Sequence, residues 1–212
     1  MSSNSYALQA AVLDAGAEPV LLGIARDEPD EIADSFRRAL RCDLVISTGG
    51  VSVGDRDWIK SVLADLGGDM HLWRVRMKPG APLAFVTLEG RPVFGLPGNP
   101  VSTLVTFEQF VRPALLAMMG RHEIFRPVER VRLAEAYRKP AGRAHFVRVE
   151  LERGDGIPVA RVRADQSSGV LLSMVRADAL VFVPEETTEL PANAEVPAIL
   201  LDSDRLRAEP GY

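Results

Sequence analysis

Two glycine-rich stretches carry the residue types and spacing that could do chemistry: Ser47-Thr48-Gly49-Gly50-Val51-Ser52-Val53-Gly54-Asp55-Arg56-Asp57 and Gly95-Leu96-Pro97-Gly98-Asn99-Pro100-Val101-Ser102. Each follows an apolar run, Asp43-Leu44-Val45-Ile46 or Arg91-Pro92-Val93-Phe94, and each leads into a helical pattern. Strand, glycine-rich turn and helix start together aim free backbone N–H groups at an anion, helped by the positive end of the helix dipole. Two such loops on one parallel sheet converge at the same edge, so a polyanionic ligand is expected. Its candidate contacts are Ser47, Gly49, Gly50, Ser52 and Gly54 in the first loop and Gly98, Asn99 and Ser102 in the second. Neither loop reads G-x-x-x-x-G-K-[ST], which excludes a P-loop. Neither reads G-x-G-x-x-G with an acidic residue about 20 positions on, so a dinucleotide fingerprint is absent. Tight turning alone also calls for glycine; two hydroxyl-bearing loops, one of them followed by Asp-Arg-Asp, favour the ligand.

Charged residues sit where they could join those loops. Asp27 closely follows an apolar run at 19–23, and Asp55 and Asp57 end the first loop. Carboxylates beside a phosphate-binding loop are the usual way to hold Mg²⁺ against an oxyanion. Helix capping accounts equally well for each taken alone: Asp57 sits where an N-cap is wanted, and Asp27 lies near a helix start. In Trp73-Arg74-Val75-Arg76-Met77-Lys78-Pro79-Gly80, an extended backbone puts Arg74, Arg76 and Lys78 on one side, with Val75 and Met77 facing the core. Three cations entering a Pro-Gly turn suit a tetrahedral oxyanion; a solvated strand face has the same pattern. His71, His122 and His145 have no ligand spacing, so zinc is not expected. No Ser-His-Asp or Cys-His arrangement can be argued.

The elements that must position these residues alternate through residues 1–122. Asn4 or Ser5 caps a helix with apolar positions Leu8, Ala11, Val12 and Ala15, stopped by Gly16. Pro19-Val20-Leu21-Leu22-Gly23 reads as a strand, and Asp27-Glu28-Pro29-Asp30-Glu31 opens a second helix. A helix from about Asp57 to Leu66 ends at Gly67-Gly68. Leu83–Thr87 and Pro92–Phe94 pair through a turn at Leu88-Glu89-Gly90-Arg91. The longest helix runs from Pro100, capped by Asn99, to about Met119, with Pro113 bending or breaking it. The predicted fold is α/β: a three-layer α/β sandwich with a mainly parallel sheet.

Past Gly120 the period changes to two, as in Val128–Leu133 and Phe146–Leu151. Val159–Val162, Ala179–Val183 and Val196–Leu201 are further strand candidates, separated by turn signals. Residues 123–212 therefore read as a small antiparallel β-barrel domain. Its basic run, Arg126, Arg130, Arg132, Arg138, Lys139, Arg143 and Arg148, reads as a solvated surface.

Bulk properties narrow the function classes. The 212 residues are 47% hydrophobic and 25% charged, an ordinary globular balance. The net charge of −4 offers no electrostatic reason to expect nucleic acid. It is shared evenly: 12 basic and 14 acidic side chains lie in residues 1–122, and 13 and 15 in residues 123–212. The single Cys42 excludes an intrachain disulfide. No apolar run approaches a membrane span, and Met1-Ser2-Ser3-Asn4-Ser5 has no signal-peptide character. A cytoplasmic protein is expected.

The motifs together resemble the C-terminal half of the MoeA, or molybdopterin molybdenumtransferase, family, which is similar to the E domain of gephyrin. They are Asn4-Ser5-Tyr6, Arg26-Asp27, Ser47 to Asp57, Met77-Lys78-Pro79-Gly80, Gly95 to Ser102, Gly142-Arg143 to Arg148, and Asp165-Gln166-Ser167-Ser168. The α/β part alone also resembles the MogA adenylyltransferases, so MogA-like adenylyl transfer is an alternative; Lys-Pro-Gly and Leu-Pro-Gly-Asn-Pro followed by a β domain favour MoeA. The resemblance implies ligation of molybdate to an adenylylated molybdopterin, with Mg²⁺ assistance and release of AMP. It places Asp27 and Asp57 at active-site carboxylates (also the metal positions) and Arg74 and Lys78 at basic catalytic positions. Pro97 and Pro100 match the prolines that shape the second loop, and Arg148 and Ser168 match functional positions of the β domain. Position 74, usually lysine in the family, is arginine here, which keeps the charge and alters its geometry. The family's two further domains, and a strand ending in a Thr-Gly-Asp-Glu type motif ahead of the first helix, have no counterpart in the sequence. The expected partners are therefore a second copy, as a homodimer, or a chain supplying N-terminal domains. A non-catalytic pterin- or nucleotide-binding role is the other reading.

Overall fold

The computed structural model describes residues 2–50, 58–163, 165–201 and 209–212. In chain order the first elements are α1 (Ser3–Asp14), α2 (Pro29–Ala39), β1 (Val45–Thr48), α3 (Trp58–Asp65), β2 (Asp69–Trp73), β3 (Met77–Lys78), β4 (Ala84–Leu88) and β5 (Arg91–Leu96). After them come α4 (Pro100–Thr106), a π-helical turn (Phe107–Val111) and α5 (Arg112–Met118). The chain divides into two compact units, Met1–Val75 with Gly80–Leu115, and Arg76–Pro79 with Leu116–Tyr212.

In the first unit, side chains alternate across the sheet, so neighbouring residues enter different cores. Val45, Val86 and Val93 pack with Ile32 and Phe36 of α2 and with Ile59 and Leu63 of α3. Phe94 and Leu96 pack with Leu8 and Val12 of α1 and with Phe107, Val111 and Leu115. Helices therefore cover both faces of a sheet of order β1-β5-β4-β2.

Two expectations about that sheet are corrected. It is mixed: β1 and β5 pair in parallel, from Val45↔Val93 to Thr48↔Leu96, while β5–β4 and β4–β2 are antiparallel. The reason is the expected Leu88–Arg91 turn, where Glu89 and Gly90 both have positive φ (49° and 74°). So tight a hairpin joins only antiparallel strands; a parallel return needs a crossover of a dozen or more residues. The strand expected at Pro19–Gly23 does not form. Residues 17–26 have no ladder partner among the described residues, and Val20, Leu21, Leu22 and Ile24 are exposed. β propensity becomes a strand only beside a neighbour.

Helix boundaries follow local chemistry. Ser2, not Asn4 or Ser5, caps α1, accepting from the Ser5 N–H, and Gly16 leaves the helix at φ 87°. Pro29 sits in the first turn of α2 with Asp30 and Glu31, as expected. The helix expected to bend or break at Pro113 runs on without a break, through the π-helical turn Phe107–Val111 into α5; the wider turn lies just ahead of a proline that lacks an N–H.

The second unit holds β6 (Val128–Leu133), β7 (Tyr137–Arg138), β8 (Ala144–Glu152), β9 (Val159–Val162), α6 (Leu172–Val175), β10 (Ala179–Val183), β11 (Glu189–Leu190) and β12 (Glu195–Leu200). Strands run β10-β12-β6-β9-β8, and β10 pairs again with β8, closing a five-stranded barrel without free edges. All five were legible as strand candidates, Val128–Leu133 and Phe146–Leu151 by their alternation. The β6–β9 pairing is parallel, the other four antiparallel. Val131, Val147, Val149, Val181 and Ala198 fill the interior. β3 leaves the chain's first half to pair with β8, opposite Ala144 and His145.

Candidate functional site

Because β1 and β5 are parallel neighbours, the loops that follow them leave the sheet at the same end. Gly49 and Gly50 both lie in the left-handed region (φ 84° and 71°). A Cβ on Gly50 would stand 2.7 Å from Ile59 Cγ1, so this turn against α3 needs glycine for space as well as for φ. The Gly49 N–H donates to the Leu96 carbonyl at 3.1 Å, joining one loop to the other. A Cβ on Gly98 would meet Gly49 Cα at 3.6 Å, so the two turns approach to van der Waals contact.

Polar side chains complete that join. The Pro97 carbonyl accepts from Thr48 Oγ1 at 2.9 Å and from Thr103 Oγ1 at 2.6 Å. Asn4 Nδ2 donates to the Gly98 carbonyl at 2.8 Å, to Thr48 Oγ1 at 3.0 Å and to Thr103 Oγ1 at 3.3 Å. Asn4 is buried. Its position was legible only as a candidate cap; the overlooked signal is its spacing, one turn ahead of Leu8 on the stripe that α1 turns inward. Among the described residues Ser47 Oγ and Asn4 Oδ1 are buried without a hydrogen-bond partner. In the second loop Pro97 and Ser102 are buried, Pro100 is half-buried, and Gly98 and Asn99 are exposed. Asn99 takes the N-cap position of α4. Ser52, Gly54 and Asp57 lie outside the described residues.

Asp27 is exposed just ahead of α2, whose N-cap is Glu28. Among the described residues no three His, Cys, Asp or Glu side chains are grouped to hold a metal ion. The cationic segment differs from the expected single strand. Arg74 has φ 73°, which ends β2 and breaks the two-residue period; its N–H donates to the Leu83 carbonyl at 2.7 Å. Arg74 is exposed in the first unit, while Arg76 and Lys78 belong to the second. Arg76 pairs there with Glu185 at 3.2 Å.

In the second unit the expected positions lie among buried polar groups. Arg148 has no solvent exposure. Its Nη2 donates to the Ser167 carbonyl at 3.2 Å and to that of Asp165 at 3.4 Å. Gln166 ties the same segment down, donating to the Arg148 carbonyl at 2.9 Å and accepting from the Arg148 N–H at 3.2 Å. Arg148 thus moors the stretch that carries half-buried Ser168. Among the described residues its Nε and Nη1 are buried without hydrogen-bond partners. Burial lowers the Arg148 pKa, while Asp165 and Tyr137 act to raise it.

His145, opposite Lys78 in the β3–β8 register, is buried with Nδ1 2.8 Å from the Tyr137 hydroxyl. Burial first, then Lys78, Lys139 and Arg143, pushes its pKa down to about 4, so it is neutral at pH 7. Lys139 is also buried, its Nζ donating to the Arg143 and Glu185 carbonyls at 2.9 Å and to that of Pro140 at 3.4 Å. The basic run expected to be solvated therefore hides two of its seven members.

A two-sided α/β sandwich presenting paired glycine loops, together with a closed barrel, defines the class. Residues 2–117 match the model of the probable molybdopterin binding domain, and residues 130–201 match that of the MoeA C-terminal region, domain IV. The chain belongs to the MoeA family and corresponds to part of its members' length. A molybdopterin molybdenumtransferase of Nostoc is 36% identical over 202 residues, covering 92% of this chain and 46% of that protein. Molybdopterin molybdenumtransferase 2 of Mycobacterium tuberculosis is 34% identical, covering 92% and 49%. The molybdopterin biosynthesis MoeA protein of Pyrococcus horikosii superposes with a TM-score of 0.80 at 31% identity, covering 94% of this chain and 48% of that one. The chain thus spans about half the length of these relatives. Among the described residues no helix is long and apolar enough to cross a membrane.

Proposed function

We propose that this chain is the molybdate-inserting part of a molybdopterin molybdenumtransferase. It would hold an adenylylated molybdopterin while molybdate is ligated to the dithiolene and AMP is released. The supporting observation is the pair of glycine loops after β1 and β5, locked together by Thr48, Thr103 and Asn4 in a molybdopterin-binding domain. Their backbone N–H groups suit the phosphate portion of such a ligand. In this reading residues 1–122 form the molybdopterin-binding domain and residues 123–212 the barrel domain. Ser47, Gly49, Gly50, Ser52, Gly54, Gly98, Asn99 and Ser102 contact substrate, and Pro97 and Pro100 shape the second loop. Arg74 and Lys78 supply positive charge, Asp27 and Asp57 carboxylates, and Arg148 and Ser168 the barrel's contribution.

Mg²⁺ is the cofactor this reading implies. Asp27 is a hard oxygen donor of the kind Mg²⁺ takes, but one exposed carboxylate does not make a site. Asp57→Ala is expected to abolish molybdenum insertion, assayed with a polypeptide supplying the rest of the relatives' length or in a full-length chimera. Retention of most activity would leave Asp57 as a helix cap. Lys78→Ala should weaken substrate binding by roughly 1.5–3 kcal/mol, the range for a charge-assisted contact.

A second reading is binding of the pterin or nucleotide without turnover. Calorimetry with AMP and an insertion assay on the same sample separate the two; insertion by the isolated chain at family-like rates would sink the binding-only reading. The proposal extends to a cytoplasmic location and to association, as a homodimer or with a chain carrying N-terminal domains. Among the described residues β1 ends the sheet order, and Val20, Leu21, Leu22 and Ile24 are exposed; an unpaired strand edge and exposed apolar side chains each suit such pairing. Adding a polypeptide that pairs there should raise the melting temperature; a monodisperse monomer indifferent to it would show that the flank has no such role.

A further inference from the structure

Asn4 is a poor choice for packing alone. It lies on the inward stripe of α1 with Leu8 and Val12, where an aliphatic side chain would fill the space at no polar cost. Instead the position carries an amide whose Oδ1 is buried with no partner among the described residues. What it supplies is its two N–H hydrogens, set against three acceptors within 3.3 Å: the Gly98 carbonyl, Thr48 Oγ1 and Thr103 Oγ1. Both threonine hydroxyls donate to carbonyls of the second loop, Thr48 to that of Pro97 and Thr103 between those of Pro97 and Asn99. Each hydroxyl thus accepts from Asn4 and donates to the second loop, forming a polar lattice that only a donor at position 4 completes.

We propose that Asn4 is a positioning residue. Its amide holds the second glycine loop on the end of β1, fixing the spacing at which N–H groups of both loops can act on one anion. The proposal rests on reading those loops as the ligand site. The spacing is tight, since Gly49 donates to Leu96 and Gly98 lies against Gly49. Losing the Gly98 anchor would let the second loop drift and free the Gly49 N–H from its acceptor.

The test uses the whole chain. Asn4→Asp keeps the shape and removes the donors. Leu88→Ala, in the core on the α2–α3 face of the sheet, serves as an equally destabilising control away from the loops. Two readouts are taken: hydrogen exchange at the Gly49 amide by NMR, and AMP affinity by calorimetry. Asn4→Asp is expected to speed Gly49 exchange at least tenfold beyond Leu88→Ala and to weaken AMP binding about tenfold, while Leu88→Ala leaves the affinity within twofold. Wild-type Gly49 protection in Asn4→Asp overturns the proposal, as does an affinity loss that merely tracks melting temperature across both variants. If the wild type does not bind AMP, the ligand reading fails, and Gly49 exchange alone decides the positioning role. Should Asn4→Asp not fold, Thr103→Val, which removes one acceptor, takes its place with the same expected directions.

Discussion

The α/β unit and the barrel prepare for charge in opposite ways. At the end of the α/β sheet the backbone itself is held in place, by two successive left-handed glycines and by a hydrogen-bonded join between loops. In the barrel the groups are side chains taken out of water: Arg148 with two donors unpartnered among the described residues, Lys139 held by carbonyls, and His145 kept neutral among cations. The first arrangement costs conformational freedom, paid when the chain folds into a turn only glycine tolerates. The second costs desolvation, which falls on the whole barrel. Disturbing the first should misplace a loop; disturbing the second should unbalance a core.

The largest expected effect is therefore in the barrel. Lys139→Met removes the ammonium from the Arg143 and Pro140 carbonyls while conserving the aliphatic stem, and should cost about 2–3 kcal/mol in denaturant unfolding. A loss below roughly half a kcal/mol would make Lys139 a surface cation in effect. Next is Gly50→Ala, where a positive φ and a 2.7 Å approach to Ile59 act together. About 1–3 kcal/mol is expected, and unfolding followed from Trp58, beside the turn, would report it. Unchanged stability would mean that α3 yields freely and that the loop is not braced against it.

His145 sharpens the comparison through pH. Its native pKa of about 4 lies below the ordinary 6.5, so folding favours the neutral ring. Its contribution is complete above pH 6.5 and is lost as pH falls from 6.5 toward 4, where the unfolded chain binds the proton first. His145→Gln, which can still meet the Tyr137 hydroxyl, should flatten melting temperature against pH across that window; an unchanged slope would place the titration elsewhere. The smallest effect is expected at the exposed Arg138–Glu189 pair, 2.8 Å apart on the β7–β11 ribbon. Arg138→Ala should leave the denaturation midpoint nearly unchanged, and a clear drop would show that the ribbon, too, depends on charge.

The glycine loops, the hairpin at Leu88–Arg91, the irregular turn ahead of Pro113 and all five barrel strands were legible along the chain, because each rests on a local rule. Glycine marks positive φ, proline removes a donor, and alternation marks a half-buried strand. The structure decided what depends on neighbours. Pro19–Gly23 has a strand's composition and forms no strand, because no described segment pairs with it. Trp73–Lys78 alternates like one strand, yet Arg74 turns into the left-handed region and Arg76–Pro79 passes to the other unit. Asn4 has the chemistry of a cap, but Ser2 caps the helix and Asn4 turns inward to the loops. Lys139 and Arg148 look like the arginines around them until the barrel closes over them. Backbone preference is written one residue at a time; burial and pairing belong to residues far apart in sequence, so they exist only once the chain has folded.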